Sequence, residues 1–273
     1  MTQIESARSG KTTTEMESVA LNEHIDVELL RQMIEKGEAV IPSNRNHKSQ
    51  NHIGIGSALS VKVNANVGTS PENDSIDTEI MKAHTAEHAG ADAIMDLSVA
   101  GNIPEIRRKI LNATSLTFGS VPLYEVMARI KGDYRILDVE TIFSVIRSHA
   151  EDGVDFMTVH CGITEDSLRC IDQRQMGIVS RGGSFIAKWM KHHKRENPFL
   201  EHFDELCDIA RTYDVTLSLG DALRPGSLAD AGDSAQFSEI DTLGSLVQRA
   251  RDNGVQVIVE GPGHVPIDEI AAN

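Results

Sequence analysis

Glu260 and His264 flank Gly261-Pro262-Gly263 at the end of an apolar run, Val255 to Val259, that reads as a strand covered on both faces. A carboxylate and an imidazole at a strand stop can move protons, hold a polar ligand or bind a metal, so a ligand is expected there. His264 alone is a weak metal signal, because a metal takes three or four ligands and Glu260 lies across a rigid turn. Met176-Gly-Ile-Val-Ser-Arg-Gly-Gly-Ser184 precedes an amphipathic helix with Phe185, Ile186, Trp189 and Met190 on one side. Its free amides and the Arg181 fork suit a phosphate, and an ordinary helix start with turn glycines suits the sequence equally. Asp221 and Arg224, in Gly220-Asp-Ala-Leu-Arg-Pro-Gly-Ser227, either bind a hydroxyl or amine and an anion, or pair to fasten a loop. His192 and His193 read as surface cations at a helix end, and His47 and His52 as solvated loop residues.

The elements that must position these groups repeat. An amphipathic helix ends, a Gly or Asp turn follows, and a short apolar strand finishes in polar residues. Ala89 to Ser98, Asp152 to Gly162, Tyr213 to Asp221 and Asn253 to Gly263 follow this pattern, with further strands expected at Ser60 to Gly68 and about Leu116 to Tyr124. Asp138 is an expected N-cap for a helix burying Ile142, Val145, Ile146 and Ala150, and Ile240, Leu243, Val247 and Ala250 share a second helix face.

Strand and helix in alternation give a parallel sheet, open or closed, with ligands at the carboxyl ends of the strands. Those ends carry Asn64, Asn66, Asp96, Ser98, Tyr124, His160, Asp221, Arg224, Glu260 and His264. Contributions from every strand favour an α/β fold of the (β/α) barrel, TIM type, over an open sheet. About six of its eight strands are expected in an incomplete barrel at 56–273. Residues 1–55, with helical patches at Thr14 to Asn22 and Asp26 to Lys36, read as a small N-terminal domain or cap.

The 273 residues are 40% apolar and 25% charged, which is ordinary for a globular protein, and the net charge of −15 disfavours nucleic acid and anionic membrane as partners. Cys161, Cys170 and Cys207 have no C-x-x-C spacing, fitting a reducing cytoplasm and offering no complete metal or cluster motif. No run approaches the ~20 apolar residues of a membrane span.

Taken together, the chain resembles the phosphomethylpyrimidine synthase family of thiamine biosynthesis. The likeness runs from Ala7-Arg-Ser-Gly-Lys-Thr-Thr-Thr-Glu-Met through Val63-Asn-Ala-Asn-Val-Gly, Met95-Asp-Leu-Ser, Val121-Pro-Leu-Tyr, Ile178-Val-Ser-Arg-Gly-Gly-Ser and Leu223-Arg-Pro-Gly-Ser to Glu260-Gly-Pro-Gly-His-Val-Pro. The resemblance implies a (β/α) barrel that converts 5-aminoimidazole ribotide into 4-amino-5-hydroxymethyl-2-methylpyrimidine phosphate. It implies substrate contacts at Asn66, Met95, Tyr124, His160, Ser180, Arg181, Gly182, Asp221, Ala222, Leu223, Arg224 and Glu260, and zinc or a similar divalent metal at His264. It further implies a 4Fe-4S cluster that cleaves S-adenosyl-L-methionine to a radical acting on the ribotide, and a homodimer.

The chain departs from the family pattern at Ala222, where the family has Gly, and at Val99-Ala100, where it has Thr-Gly. Two strands, a second metal histidine and the cluster cysteines are expected beyond Asn273, so this polypeptide alone is expected not to turn over. The related 5-hydroxybenzimidazole synthase, which uses the same ribotide, is an alternative. From a different class, a non-catalytic ribotide-binding or oligomerisation module is an alternative if the short chain is natural, and an ordinary metal-dependent barrel hydrolase or aldolase is a third reading.

Overall fold

The structure is a computed structural model that describes residues 1–48 and 50–273. Three helices open the chain: α1 (Gln3–Arg8), α2 (Thr14–Glu23) and α3 (Val27–Lys36). Thr2, Thr13 and Asp26 cap them with side-chain oxygens, as the short polar residues before each apolar run predict. They enclose a small core of their own, built on Ile4, Met16, Leu30 and Ile34. A two-residue antiparallel pair, β1 (Ala39–Val40) with β2 (Ile55–Gly56), follows.

The remaining strands form one parallel sheet: β3 (Asn64–Val67), β4 (Ala93–Asp96), β5 (Thr117–Ser120), β6 (Phe156–Val159), β7 (Thr216–Leu219) and β8 (Val257–Val259). Their spatial order is their sequence order, with no reversal point. Sequential parallel order is barrel connectivity, because a doubly wound sheet reverses its order at a switch point. Among the described residues no ladder joins β3 to β8, so the sheet is six strands of an unclosed barrel.

Helices return the chain between strands: α4 (Ile76–His88), α5 (Ile103–Ala113), α6 (Pro122–Arg129), α7 (Val139–Asp152), α8 (Glu165–Arg169), α9 (Arg181–His193), α10 (Pro198–Glu201), α11 (Phe203–Tyr213) and α12 (Ser234–Asp252). Asp138 caps α7 through Thr141 N as expected, and Ile142, Val145, Ile146 and Ala150 lie in the main core. Val67, Ile94, Phe118, Met157, Val159, Leu217 and Leu219 face that core from the sheet. The alternate positions, including Asn64, Phe156, Ser218 and Ile258, line an interior cavity of about 560 Å³.

Several expected details change. The strand expected at Leu116 to Tyr124 stops at Ser120, because Pro122 has no amide for a ladder and instead starts α6, placing Tyr124 in that helix's first turn. β3 is shorter than Ser60 to Gly68. β8 is not covered on both faces: it ends the ladder, Val257 and Ile258 are half-buried and Val259 is 45% exposed. His47 is not a solvated loop residue either. It is buried, with Nδ1 2.8 Å from Asp155 Oδ2, and Asp155 also accepts from the Phe118 and Asn44 amides. That carboxylate lies fully buried just before β6, and the distant loop of Asn44 to His47 folds in to supply donors. His52 is half-buried, 3.3 Å from Ser43 Oγ. Gln256 exchanges two hydrogen bonds with the Ile41 backbone, a second tie between the N-terminal segment and the barrel base.

Candidate functional site

The site is built at the carboxyl ends of β6, β7 and β8. His160 follows β6 and is 4% exposed. Burial drives its pKa down to about 4, so the ring is neutral at physiological pH, and its Nδ1 has no hydrogen-bond partner. Asn197 fixes the backbone here, donating from Nδ2 to the carbonyls of His160 at 2.9 Å and Ile163 at 3.0 Å. The imidazole lies against the first turn of α9, where a Cβ on Gly182 would sit 2.4 Å from His160 Cε1. Only glycine permits that approach without movement.

Ser180 is the N-cap of α9, accepting from Gly183 N at 3.2 Å, and it is fully buried. Arg181 is exposed at the first helical position, with its guanidinium 5.4 Å from the centre of the Tyr124 ring. Phe185, Ile186, Trp189 and Met190 are buried on the opposite side, which is why the helix presents its amino end to the rim. Tyr124, Arg181 and Val99 line a cavity of about 300 Å³.

After β7 the chain turns through Gly220 into the Asp221 loop. Arg224 Nη1 donates to Asp221 Oδ1 at 2.6 Å, and Glu260 Oε2 accepts from Asp221 N at 3.2 Å. Burial first, then the nearby Glu260 charge, raises the Asp221 pKa to about 7 against the pull of Arg224. Glu260 continues β8, its amide donating to Leu219 O at 2.9 Å. Ala222 and Leu223 are wholly buried, and their amides donate to the two oxygens of Glu239 at 2.9 and 2.7 Å. The Ala222 methyl therefore packs inward, toward Gly183, and not into the ligand space. Arg174 holds the other side, donating to Leu223 O at 2.6 Å while pairing with Asp233.

His160, Gly182, Asp221, Arg224 and Glu260 thus converge, with Arg181 and Tyr124 beside them. Asn66 and Met95 are register neighbours on β3 and β4, and no hydrogen bond joins them to that group among the described residues. Asp96 and Ser98 bond to each other, with Ser98 Oγ at 2.5 Å from Asp96 Oδ1, and both are buried. His264 has φ 59°, and its Nδ1 is 2.9 Å from Pro225 O, which sets the proton on Nδ1 and leaves Nε2 as the free lone pair. Among the described residues no three His, Cys, Asp or Glu groups cluster as a metal site. His193 is half-buried with Nε2 3.2 Å from Tyr134 O, and His192 is exposed.

Glu239, Arg174 and Asn197 escaped sequence reasoning, since each lies in a helix or loop remote from the strand ends. One further cluster has the order nucleophile, base, acid: Ser120 Oγ is 2.8 Å from His149 Nδ1, and His149 Nε2 is 2.9 Å from Glu125 Oε2. Arg107 fills the space beside it, and Ser120 is 1% exposed, so a substrate has no access. It is a buried polar tie between β5, α6 and α7, with His149 held down to about 4 by burial.

The sequential parallel strands define a protein of (β/α) barrel connectivity, with His160, Asp221, Arg224 and Glu260 as a candidate polar site at the carboxyl ends of its strands. The chain belongs to the Radical SAM ThiC family, whose model matches residues 2–273. It is 54% identical to a phosphomethylpyrimidine synthase of Thermoanaerobacter sp. (strain X514), over 100% of this chain and 64% of that protein. The enzymes of the same name from Natronomonas pharaonis and Methanocaldococcus jannaschii are each 50% identical, over 100% of this chain and 57% and 65% of theirs. The chain therefore spans about three-fifths of the length of these relatives. Among solved structures, a Xanthomonas albilineans dihydropteroate synthase with 4-aminobenzoic acid aligns at TM-score 0.29 and 11% identity, covering 81% of this chain and 92% of that one, too distant to add to the reading of the strands.

Proposed function

We propose that this chain carries the substrate-binding rim of a phosphomethylpyrimidine synthase in thiamine pyrimidine biosynthesis, and that the rim takes 5-aminoimidazole ribotide. The observation that carries the reading is the buried, neutral ring of His160, its Nδ1 without a partner against the first turn of α9, beside a rim formed by Asp221, Arg224 and Glu260, in a chain of this family. A neutral imidazole with one nitrogen unpaired is costly unless a ligand completes it.

In this reading Arg181 and the free amides at the start of α9 receive the phosphate, where helix dipole and guanidinium act together. Asp221 and Glu260 accept hydrogen bonds from hydroxyl or amine groups, and His160 holds a polar ring atom without adding charge. Tyr124 supports Arg181 from below. Asn66 and Met95 complete the rim from the first two barrel strands. His264 fits a divalent metal through Nε2, its other nitrogen being fixed by Pro225 O.

The cysteines do not fit a 4Fe-4S cluster. Cys161 and Cys207 are buried with their thiols pushed up, Cys207 to about 12, and Cys170 is half-buried at the end of α8. S-adenosyl-L-methionine and the cluster, when bound, supply radical chemistry, and the part argued for this chain is binding and orientation of the ribotide. Residues 1–55 are read as a cap on the barrel base, supported by their separate small core and the Gln256 and Asp155 ties.

Calorimetric titration with 5-aminoimidazole ribotide tests the proposal. Saturable binding of one ribotide per chain, abolished by Asp221→Ala with Glu260→Ala, is the expected result. No binding at millimolar ribotide sinks it.

A further inference from the structure

We infer that Glu239 is a positioning residue for the ligand site, fastening the Asp221–Arg224 loop from α12 and thereby setting that loop's distance from the first turn of α9. The inference rests on the ligand rim proposed above. Glu239 is 2% exposed and forms no ion pair among the described residues. Its two carboxylate oxygens are instead spent on two consecutive loop amides, Ala222 N at 2.9 Å and Leu223 N at 2.7 Å. Such a bidentate grip fixes the peptide planes between Asp221 and Arg224, and with them the direction of both rim side chains.

Two close approaches make the same carboxylate a spacer. A Cβ on Gly162 would sit 2.7 Å from Glu239 Cγ, so the side chain occupies a slot that exists only because residue 162 is glycine. A Cβ on Gly183 would sit 2.6 Å from Ala222 O and 2.9 Å from Ala222 Cβ, so the gripped loop is in contact with the turn that carries Arg181. A shift of the loop by a few tenths of an ångström would therefore reach α9. Arg174, donating to Leu223 O at 2.6 Å, holds the opposite side; the Ala222 amide is shared with Gly220 O at 3.0 Å, while the Leu223 amide bonds to Glu239. Burial, and then the Asp221 charge, raise the Glu239 pKa, and the two loop amides pull against them by favouring the ionised form.

Glu239→Gln preserves volume and one acceptor but turns an NH₂ toward one of the two loop amides, so the bidentate grip is lost. In the ligand-free protein, hydrogen exchange at the Ala222 and Leu223 amides should quicken by about tenfold or more while β6 and β7 amides keep their rates. Ribotide affinity should fall by about tenfold, the loss expected of one unmade buried hydrogen bond. Gly162→Ala, which drives a methyl against the Glu239 stem without touching the rim, should produce the same local quickening, and it decides the matter if Glu239→Gln does not fold. Unchanged exchange at both amides, or quickening spread evenly over the sheet, overturns the inference. If the parent protein binds no ribotide the proposed function fails, and the exchange measurement then judges Glu239 by itself.

Discussion

The imidazole of His160 packs directly against Gly182, so the end of β6 and the first turn of α9 meet through that single ring. The buried ring is thereby held beside the residue that follows Arg181. Gly182→Ala should tilt the ring or push α9 back. Overpacking of this kind costs about 1 to 3 kcal/mol in stability. Thermal or urea unfolding measures that cost, and ribotide titration should show weaker binding.

Arg181→Ala removes the exposed guanidinium at the start of α9. Ribotide binding should weaken by about 1.5 to 3 kcal/mol, the range for hydrogen bonds to charged groups. Tyr124→Phe keeps the ring under Arg181 and should change affinity little. Unaltered calorimetric affinity in Arg181→Ala would remove the phosphate assignment.

Asp214 gives a pH dependence with a definite sign. It closes α11 in the left-handed region at φ 60°, is 5% exposed, and accepts from Gln3 N at 3.0 Å. Burial raises its pKa from 3.8 to about 7. The folded state then binds more protons than the unfolded state between those values, so this group's contribution is full below pH 3.8 and is lost as pH rises through about 7. Asp214→Asn keeps an acceptor for Gln3 and a residue that tolerates left-handed backbone. It should match the parent near pH 4 and exceed it by about 4 kcal/mol at pH 8, read from urea midpoints at the two values.

Arg107 is fully buried between Glu125 and Asp152, with His149 alongside. Arg107→Ala would strand the Glu125 carboxylate, whose pKa is now held down to about 2, in part by His149 and Arg107. A loss of about 3 to 5 kcal/mol is expected. Arg107→Ala with Glu125→Ala together should cost less than the sum of the single changes, and additive unfolding energies would show that the pair is not coupled.

Local chemistry is legible in a sequence because it acts over a few residues. The helix cap at Asp138, the apolar stripe of α9 and the polar endings of the strands were readable in this way, whereas α9 starts at Arg181, inside the glycine-rich turn expected to precede it. The alternation of strand and helix also indicated a parallel barrel-type sheet, which the sequential order β3 to β8 bears out. The family motifs pointed to the same class of protein, and the family model bears that out.

Other features needed the fold. His47 reads as a loop residue until Asp155, 108 positions away, becomes a buried carboxylate in need of donors. Glu239 looks like any helical glutamate until α12 packs its carboxylate beneath two amides of a distant loop. Val255 to Val259 has the composition of a covered strand, yet its exposure depends on whether a neighbour lies on each side. Sequence alone determined that strands and helices alternate and which polar residues follow the strands, although several element ends fell elsewhere. Which of those ends face one another, and which buried groups hold them there, was decided by tertiary packing, because desolvation and hydrogen-bond satisfaction depend on neighbours in space.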